Sequence, residues 1–335
     1  MSDERRDRKE PVPAPPAEGA PIVVTGMPRA GTSWVGKMLD ASGRVVYINE
    51  PLNVRRPPGR SPGVLRARVH YRFQYISPAN EDEYLRAFRE MLALRYHVLA
   101  EIRVSRSVGD VLRMAKYWSS FVRGRVQQKR PLLDDPYAVF SGEWLASRLG
   151  CHVVVVVRHP AAIASSRKRL GWKIDFGDLL NQPVLVDDWL HPFRQEMEAM
   201  RGSSDVIAES GLLWRMIYHV VAGYRTRHRL VHVVRHEDLS REPVSEFARL
   251  YTHVGLPFTE EVERTVIGSV TGPQDQQAHA WSFSRKGISR TGFRPLDSRA
   301  HISAWKAQLT PAEIERIREL TAGVADDYYA DDDWR

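Results

Sequence analysis

The chain has 335 residues, of which 43% are hydrophobic and 27% are charged, a balance typical of globular proteins rather than disordered or fibrous ones. No apolar run approaches about 18 residues, and the first residues lack the apolar core of a signal peptide, so we expect no membrane span. The single cysteine, Cys151, excludes an intrachain disulfide and a cysteine-based zinc cluster. These observations predict a cytoplasmic enzyme or binding protein.

The formal net charge is +8 at pH 7, but it is unevenly distributed. The last ten residues carry five Asp against one Arg, which predicts an acidic C-terminal tail over residues 326–335. The remaining basic body could bind nucleic acid, an anionic membrane surface or a small anionic ligand. Charge alone does not choose among these partners.

Residues 1–20 mix charge, proline and alanine and are predicted to be a disordered tail, which leaves residues 21–325 as the folded domain. Short β-branched runs bounded by turn residues predict strands, and longer segments with helical spacing lie between them. The alternation favours an α/β fold with a parallel sheet of about five strands covered on both faces and with helical insertions. The predicted strands are Ile22–Val24, Val45–Ile48, His97–Ile102, Val153–Val157 and Leu230–Val234. The predicted helices include Tyr84–Leu94, Gly142–Leu149 and Trp214–Arg225.

Residues 107–121 predict one further amphipathic helix with its apolar side against the core. The side chains expected to face the core are Val108, Val111, Leu112, Ala115 and Trp118. The wider segment 103–130 carries eight Arg and Lys against one acid, with aromatic residues among them, a pattern that also suits nucleic acid or a membrane surface. We favour the helix with a solvated charged side and expect no nucleic-acid partner.

The most specific local pattern follows the first predicted strand. Residues 23–34 have the order of a strand, a glycine-containing loop and a helix, and the N–H groups of such a loop can bind phosphate oxygens. Gly26, Gly31 and Ser33 match the Walker pattern G-x-x-x-x-G-K-[ST], but Thr32 occupies the lysine position. A plain Gly-Pro turn between strand and helix is the alternative interpretation.

The absence of the Walker lysine reduces the number of functions that the loop could serve. The Walker lysine contacts the β- and γ-phosphates of a nucleoside triphosphate, so its absence argues against an ATPase or GTPase. No strand ending in the Asp of a Walker-B motif is evident either. The nearest cation is Arg29, inside the loop.

Another predicted strand, Val153–Val157, is followed directly by the charged residue Arg158. Pro160 suits the first turn of a following helix, which places Arg158 at the carboxyl edge of the sheet, where open α/β sheets bind ligands. Ser166 follows about two helical turns later. A surface ion pair for Arg158 and a purely helical role for Ser166 are the alternatives.

Together, the two elements resemble the sulfotransferase family, whose members transfer a sulfuryl group from 3′-phosphoadenosine 5′-phosphosulfate (PAPS). Residues 28–34 are similar to the family's 5′-phosphosulfate loop, and Arg158 with Ser166 is similar to its 3′-phosphate motif. Residues 49–51 and 235–239 are similar to the carbohydrate-type branch and its bacterial relatives. The resemblance covers about residues 21–325 and implies a P-loop, three-layer α/β/α fold.

The resemblance also implies which residues bind the nucleotide. Trp34 lies where family members stack an aromatic ring on adenine, although a core tryptophan is the alternative. Residues 285–287 are similar to a further 3′-phosphate contact, but their neighbours fit the pattern poorly. The histidine motif and the dimerisation motif of the cytosolic branch are missing. The implied nucleotide-binding residues are Arg29, Ala30, Gly31, Thr32, Ser33, Trp34, Arg158, Ser166, Arg285, Lys286 and Gly287.

Sulfuryl transfer needs positive charge and N–H donors at the bridging oxygen of the leaving phosphate, which Arg29 and the loop could supply without a metal. The acceptor hydroxyl must lose a proton, and Glu50 is the predicted base. The alternative for Glu50 is a loop cap or an ion pair with Arg55, Arg56 or Arg60. His70, His97 and His159 are reserve candidates.

The predicted function is therefore PAPS-dependent sulfuryl transfer to a hydroxyl of a small molecule or sugar. The sequence does not fix the acceptor or the oligomeric state. One alternative is a P-loop phosphotransferase similar to the nucleotide kinases, which should have a lysine at position 32 and a magnesium-binding Asp. A less favoured alternative is a basic nucleic-acid-binding protein.

Overall fold

The computed structural model describes residues 19–270 and 302–334. Its centre is a parallel sheet of five strands in the order β2-β3-β1-β4-β5. Every residue of β1, β3 and β4 is buried, so both faces of the sheet are covered, and the predicted three-layer α/β/α architecture is confirmed. The strands are β1 (Ile22–Gly26), β2 (Val45–Asn49), β3 (Arg130–Asp134), β4 (His152–Val157) and β5 (Val231–Arg235).

Helices connect the strands and continue beyond the last one. The α-helices are α1 (Thr32–Asp40), α2 (Asp82–Leu92), α3 (Val98–Val104), α4 (Val108–Val126), α5 (Gly142–Leu149), α6 (Pro160–Leu170), α7 (Gly177–Leu180), α8 (Pro183–Leu185), α9 (Arg194–Ala199), α10 (Val206–Arg225), α11 (His236–Arg241), α12 (Pro243–Val254), α13 (Glu260–Val270) and α14 (Pro311–Thr321). Short 3₁₀ helices span Pro136–Ser141, His191–Phe193, Ala304–Ala307, Ala325–Asp327 and Asp331–Trp334, and a π-helical turn spans Val186–Leu190. In the described part of the chain, none of these helices combines the length and apolar character needed to cross a lipid bilayer.

The third predicted strand is wrong. Residues 98–102 belong to helix α3, and the third strand is β3, which pairs with β1 on one side and β2 on the other. Leu99, Ala100 and Glu101 favour a helix more than a strand. The true strand has only two large apolar residues and contains Pro131, which lacks the N–H group that an interior strand normally donates. The composition of β3 is therefore not typical of a strand, and the sequence pattern did not predict it.

Helix α4 forms where the pattern predicted it, but its predicted orientation is wrong. Val108 is 77% exposed and Leu112 is 66% exposed, whereas Phe121 and Gly124 are buried. A helix with apolar residues on both sides can pack either side inward, and periodicity does not say which.

The predicted acidic tail also differs from the structure. Tyr328, Tyr329 and Trp334 are buried, so residues 326–334 pack onto the domain. The Trp334 ring lies 4.4 Å from that of His159, and Asp333 pairs with Arg235 at 3.2 Å. The charge of this segment predicts a tail, whereas its three aromatic side chains anchor it to the domain. Of the predicted N-terminal tail, all but the last two residues lie outside the described part.

Candidate active site

The loop between β1 and α1 has a backbone shape that glycine makes possible. Gly31 has a φ of +104°, and a Cβ atom at this position would lie 2.6 Å from Cδ2 of His236. Gly26 has a φ of +147°, and its Cβ would lie 2.4 Å from the carbonyl oxygen of Val156. Any other residue would be strained at both positions. Both glycines of the predicted phosphate loop are therefore required by the geometry.

Helix α1 begins directly after this loop. Its first turn contains no acidic residue, and its N-cap residue, Gly31, has no side chain that could cap the helix. Thr32 is buried and Ser33 is half-buried. The hydroxyl groups of both side chains interact with the buried Asp134 carboxylate, while the N–H groups at the start of the helix are donors of the kind that bind an external anion.

Two arginines from neighbouring strands meet at this point. The Arg29 Nε donates a hydrogen bond to Ser166 Oγ at 2.9 Å, and Arg158 Nη1 donates to the Arg29 carbonyl oxygen at 3.1 Å. The parallel pairing of β1 with β4 places both loops at one sheet edge. The structure thus brings together Arg29, Arg158 and Ser166, which lie far apart in the sequence.

The electrostatics of this pair favour an anionic ligand. Burial, followed by the nearby positive charge of Arg158, lowers the pKa of Arg29, and burial also lowers the pKa of Arg158. The Arg158 Nε is buried without a hydrogen-bond partner in the described part of the chain. Phosphate or sulfate oxygens would satisfy such guanidinium donors and neutralise their mutual repulsion. The donor set therefore fits a nucleotide with anionic groups at two positions.

Trp34 lies in the core rather than at an open surface. Its side chain is 6% exposed, and its Nε1 donates to Ser269 Oγ at 2.9 Å. The indole packs against the rings of His236 and Phe247 at centroid distances of 5.2 and 5.4 Å. These contacts join α1 to α11, α12 and α13, and they favour the core alternative over adenine stacking.

Glu50 follows the end of β2 in a constrained conformation. Its φ is +48°, and its N–H donates to the Asp134 carbonyl oxygen at 2.7 Å. The carboxylate accepts a hydrogen bond from Asn53 Nδ2 at 2.5 Å. Burial raises the pKa of Glu50, an effect that the Asn53 hydrogen bond opposes. No described cation forms an ion pair with Glu50, although the positive charges of Arg56 and Arg72 oppose the rise in its pKa. The Asn53 contact corresponds to the alternative in which Glu50 caps a loop.

A cleft of about 620 Å³ opens beside this carboxylate. One wall contains Ser33, Asn49 and Glu50, and another is formed by α4 and the residue that follows it. This second wall consists of Lys116, Tyr117, Ser119, Ser120, Arg123, Gly124 and Gln127. The cleft therefore connects the phosphate loop with Glu50 and offers space for an acceptor molecule.

A buried carboxylate beside the loop was missed by the sequence interpretation. Strand β3, which lies next to β1, ends at Asp134, so an Asp-terminated strand does occupy the Walker-B location. The Tyr47 hydroxyl donates to Asp134, and the Lys37 ammonium lies 3.4 Å from the Tyr47 ring centroid. Burial raises the pKa of Asp134. Had β3 been recognised, the position of Asp134 could have been predicted.

The histidines that were reserve candidates for the base contact neighbours that suit a structural role. Burial lowers the pKa of His159 to about 3, and its ring stacks on Trp305 at 4.7 Å, so it is poorly suited to act as a base. His97 lies 3.1 Å from Glu90, and His70 lies 3.8 Å from Glu83. Arg285, Lys286 and Gly287 lie outside the described residues. Within those residues, no group of three or more His, Cys, Asp or Glu is placed to hold a metal ion.

The fold and the loop define a P-loop α/β protein with a candidate anion-binding site at the carboxyl edge of its sheet. The model of the Sulfotransferase family matches residues 21–260, well over half of the chain, and the chain therefore belongs to this family.

The chain is also similar to individual carbohydrate sulfotransferases. Human carbohydrate sulfotransferase 6 is 30% identical over 200 residues, covering 58% of this chain and 42% of that protein. Human carbohydrate sulfotransferase 3 is 25% identical over 322 residues, covering 78% and 62% respectively. The chain thus spans less than two thirds of either relative.

Two solved structures cover most of this chain at low identity. The sulfotransferase domain from the curacin biosynthetic pathway is 14% identical with a TM-score of 0.41, covering 90% of this chain and 96% of that one. Mouse sulfotransferase SULT7A1 complexed with PAP is 10% identical with a TM-score of 0.45, covering 94% and 86%.

Proposed function

We propose that the protein transfers a sulfuryl group from PAPS to a hydroxyl group of a sugar or another small acceptor. The observation that carries this proposal is the contact between Arg29 and Arg158 above two adjacent strands, because these two residues would supply anion-binding groups for both ends of one nucleotide. Membership of the sulfotransferase family supports the reaction type. The names of the carbohydrate sulfotransferase relatives support a sugar acceptor.

The two parts of the site would bind opposite ends of the PAPS molecule. Arg29 and the N–H groups of residues 31–33 would hold the 5′-phosphosulfate, and Arg158 with Ser166 would hold the 3′-phosphate. When bound, PAPS supplies an activated sulfuryl group whose departure leaves negative charge on a phosphate oxygen. Arg29 would stabilise that charge, and the hydrogen bond that its Nε donates to Ser166 would orient its side chain.

Glu50 would accept the proton of the acceptor hydroxyl. A carboxylate is a stronger base when its pKa is raised towards the working pH, and burial acts on Glu50 in that direction. Its backbone is held by the carbonyl oxygen of Asp134, which fixes the position of the carboxylate at the wall of the cleft.

The proposal is tested by incubating the purified chain with ³⁵S-labelled PAPS and a panel of sugar and small hydroxyl acceptors. Parallel samples contain EDTA or added Mg²⁺. We expect transfer of label to an acceptor together with release of adenosine 3′,5′-bisphosphate, and equal rates in both samples. Magnesium-dependent consumption of ATP without PAPS turnover would instead identify a phosphotransferase. Salt-dependent retention of DNA without PAPS turnover would identify the nucleic-acid alternative.

A further inference from the structure

Helices α3 and α4 carry an apolar surface that no described residue covers. We call it the α3–α4 apolar face. Val126, Val108 and Leu99 are 78%, 77% and 74% exposed, values typical of polar side chains rather than large aliphatic ones. The face consists of Leu99, Ile102, Val104, Val108, Val111, Leu112, Trp118, Val122 and Val126. Nine exposed large apolar side chains on two helices that contact each other mark a candidate interaction site.

The outward direction of the face is fixed by the packing of the opposite side of α4. The Phe121 ring is buried and lies edge-on to Tyr96 at 5.6 Å. Gly124 faces Val46 so closely that a Cβ atom there would lie 2.1 Å from Val46 Cγ2. At 100° per residue, Val108, Leu112 and Val122 lie on the side of α4 opposite to Phe121 and Gly124. The apolar residues therefore cannot be buried by a small rotation of the helix.

The charges around the face are positive. Arg103 and Arg106 are exposed on α3 and on the turn that follows it, and Arg125 is exposed on α4; none of them forms an ion pair with a described residue. The nearest acid on α4, Asp110, is paired with Arg113 at 2.9 Å. An apolar stripe flanked by unpaired arginines is the pattern of helices that bind anionic membrane surfaces.

We propose that the α3–α4 apolar face binds the surface of an anionic lipid bilayer. Its aliphatic side chains and Trp118 would enter the boundary between headgroups and acyl chains, while the arginines contact lipid phosphates. Because α4 also lines the cleft, such binding would bring the cleft close to the membrane surface. The binding requires neither PAPS nor an acceptor, so it is independent of the proposed function.

Two other occupants fit less well. A symmetric dimer through this face would bring Arg103, Arg106 and Arg125 of each copy towards those of the other, which opposes association. A single-stranded nucleic acid needs several exposed aromatic rings for stacking. Phe121 is buried and Tyr117 is half-buried in the wall of the cleft, which leaves Trp118 as the exposed ring of this segment.

The proposal is tested by flotation of the full chain with two kinds of vesicle, phosphatidylcholine alone and phosphatidylcholine mixed with phosphatidylserine. We expect binding to the mixed vesicles that weakens as salt is raised, and little binding to the neutral ones. The combined variant Val108→Ser, Leu112→Ser and Trp118→Ser should bind at least about tenfold more weakly. Leu170→Ser with Ile267→Ser, which alters exposed apolar residues elsewhere, should bind like the wild type.

Several results would overturn the proposal. One is the absence of wild-type binding to the mixed vesicles, and another is equal binding by the triple variant and the wild type. A third is a concentration-dependent dimer, seen by light scattering, that the triple variant abolishes, because the face would then be a protein interface. Circular dichroism of each variant separates loss of binding from loss of folding.

Discussion

Two regions of the molecule relate to the sequence in opposite ways. One is the sheet edge that carries the phosphate loop, and the other is the α3–α4 apolar face. At the sheet edge, residues from distant segments interlock: Arg29 bonds to Ser166, and Arg158 bonds back to the Arg29 carbonyl oxygen. On the α3–α4 apolar face, large aliphatic side chains such as Leu112 meet no covering element in the described part of the chain.

The difference shows what a sequence pattern encodes. The phosphate loop is specified mainly by its own residues, because Gly26 and Gly31 allow a backbone with positive φ and a helix begins directly after them. The apolar periodicity of α4 predicts only that one side of the helix is apolar. It does not predict which element or partner covers that side. Substitutions at the sheet edge should therefore disturb function or stability strongly, whereas those on the apolar face should disturb binding alone.

The largest effect is expected at Glu50. Glu50→Gln should lower turnover by about a thousandfold, because the variant cannot accept the acceptor proton, while nucleotide affinity stays nearly unchanged. Since burial raises the pKa of Glu50 above its ordinary value, the wild-type rate should fall as pH drops through that raised pKa. The variant should lose this acidic limb in a pH–rate profile. Wild-type turnover in Glu50→Gln would remove Glu50 as the base; Glu246→Gln, a half-buried glutamate on α12 that pairs with Arg249, is the control.

The next largest effect is expected at the phosphate loop. Gly31→Ala should lower the free energy of unfolding by about 3 kcal/mol, because the added methyl group meets His236 and the backbone is strained. Gly43→Ala is the matched control: its φ is +65°, but nothing lies within 4 Å of the new Cβ atom, so about 1 kcal/mol is expected. Urea unfolding measures both. Equal losses would show that the contact with His236 is unimportant.

A smaller effect is expected where the C-terminal segment packs behind the site. The Tyr329 hydroxyl donates to Glu237 at 3.1 Å, and the other oxygen of Glu237 accepts the His159 N–H at 3.0 Å. Tyr329→Phe should cost about 1 kcal/mol of unfolding free energy by leaving a buried carboxylate oxygen unpaired. Tyr328→Phe removes a buried hydroxyl that has no hydrogen-bond partner among the described residues and should cost nothing. Two equal effects in thermal unfolding would contradict this account of the segment.

The smallest effect is expected on the α3–α4 apolar face. Leu112→Ala should change the free energy of unfolding by less than about 0.5 kcal/mol, since the side chain is already exposed. Leu133→Ala, in buried strand β3, should cost about 3 kcal/mol through lost contacts and a cavity. A large loss at Leu112 would show that the face is covered within the molecule, and the comparison between the two regions would fail.

Much of the fold could be predicted because its strands are runs of β-branched residues, as in Val153–Val157. Strand β3 could not, since Pro131 and its charged ends resemble a loop. Arg29, Arg158 and Ser166 were predicted from loop chemistry and from resemblance, and the structure brings them together. The contacts of Trp34 could not be predicted, because an aromatic residue after a loop suits stacking and core packing equally. The absence of a metal requirement and the cytoplasmic location stay predictions.

The central claim is that two anion-binding groups on one sheet edge hold one nucleotide. Calorimetry with adenosine 3′,5′-bisphosphate and adenosine 5′-monophosphate tests it directly, using the wild type, Arg158→Ala and the surface control Arg249→Ala. We expect the wild type and the control to prefer the bisphosphate by about 10- to 100-fold, and Arg158→Ala to lose this preference while still binding the monophosphate. Failure of the wild type to bind either nucleotide, or an unchanged preference in Arg158→Ala, would contradict the account.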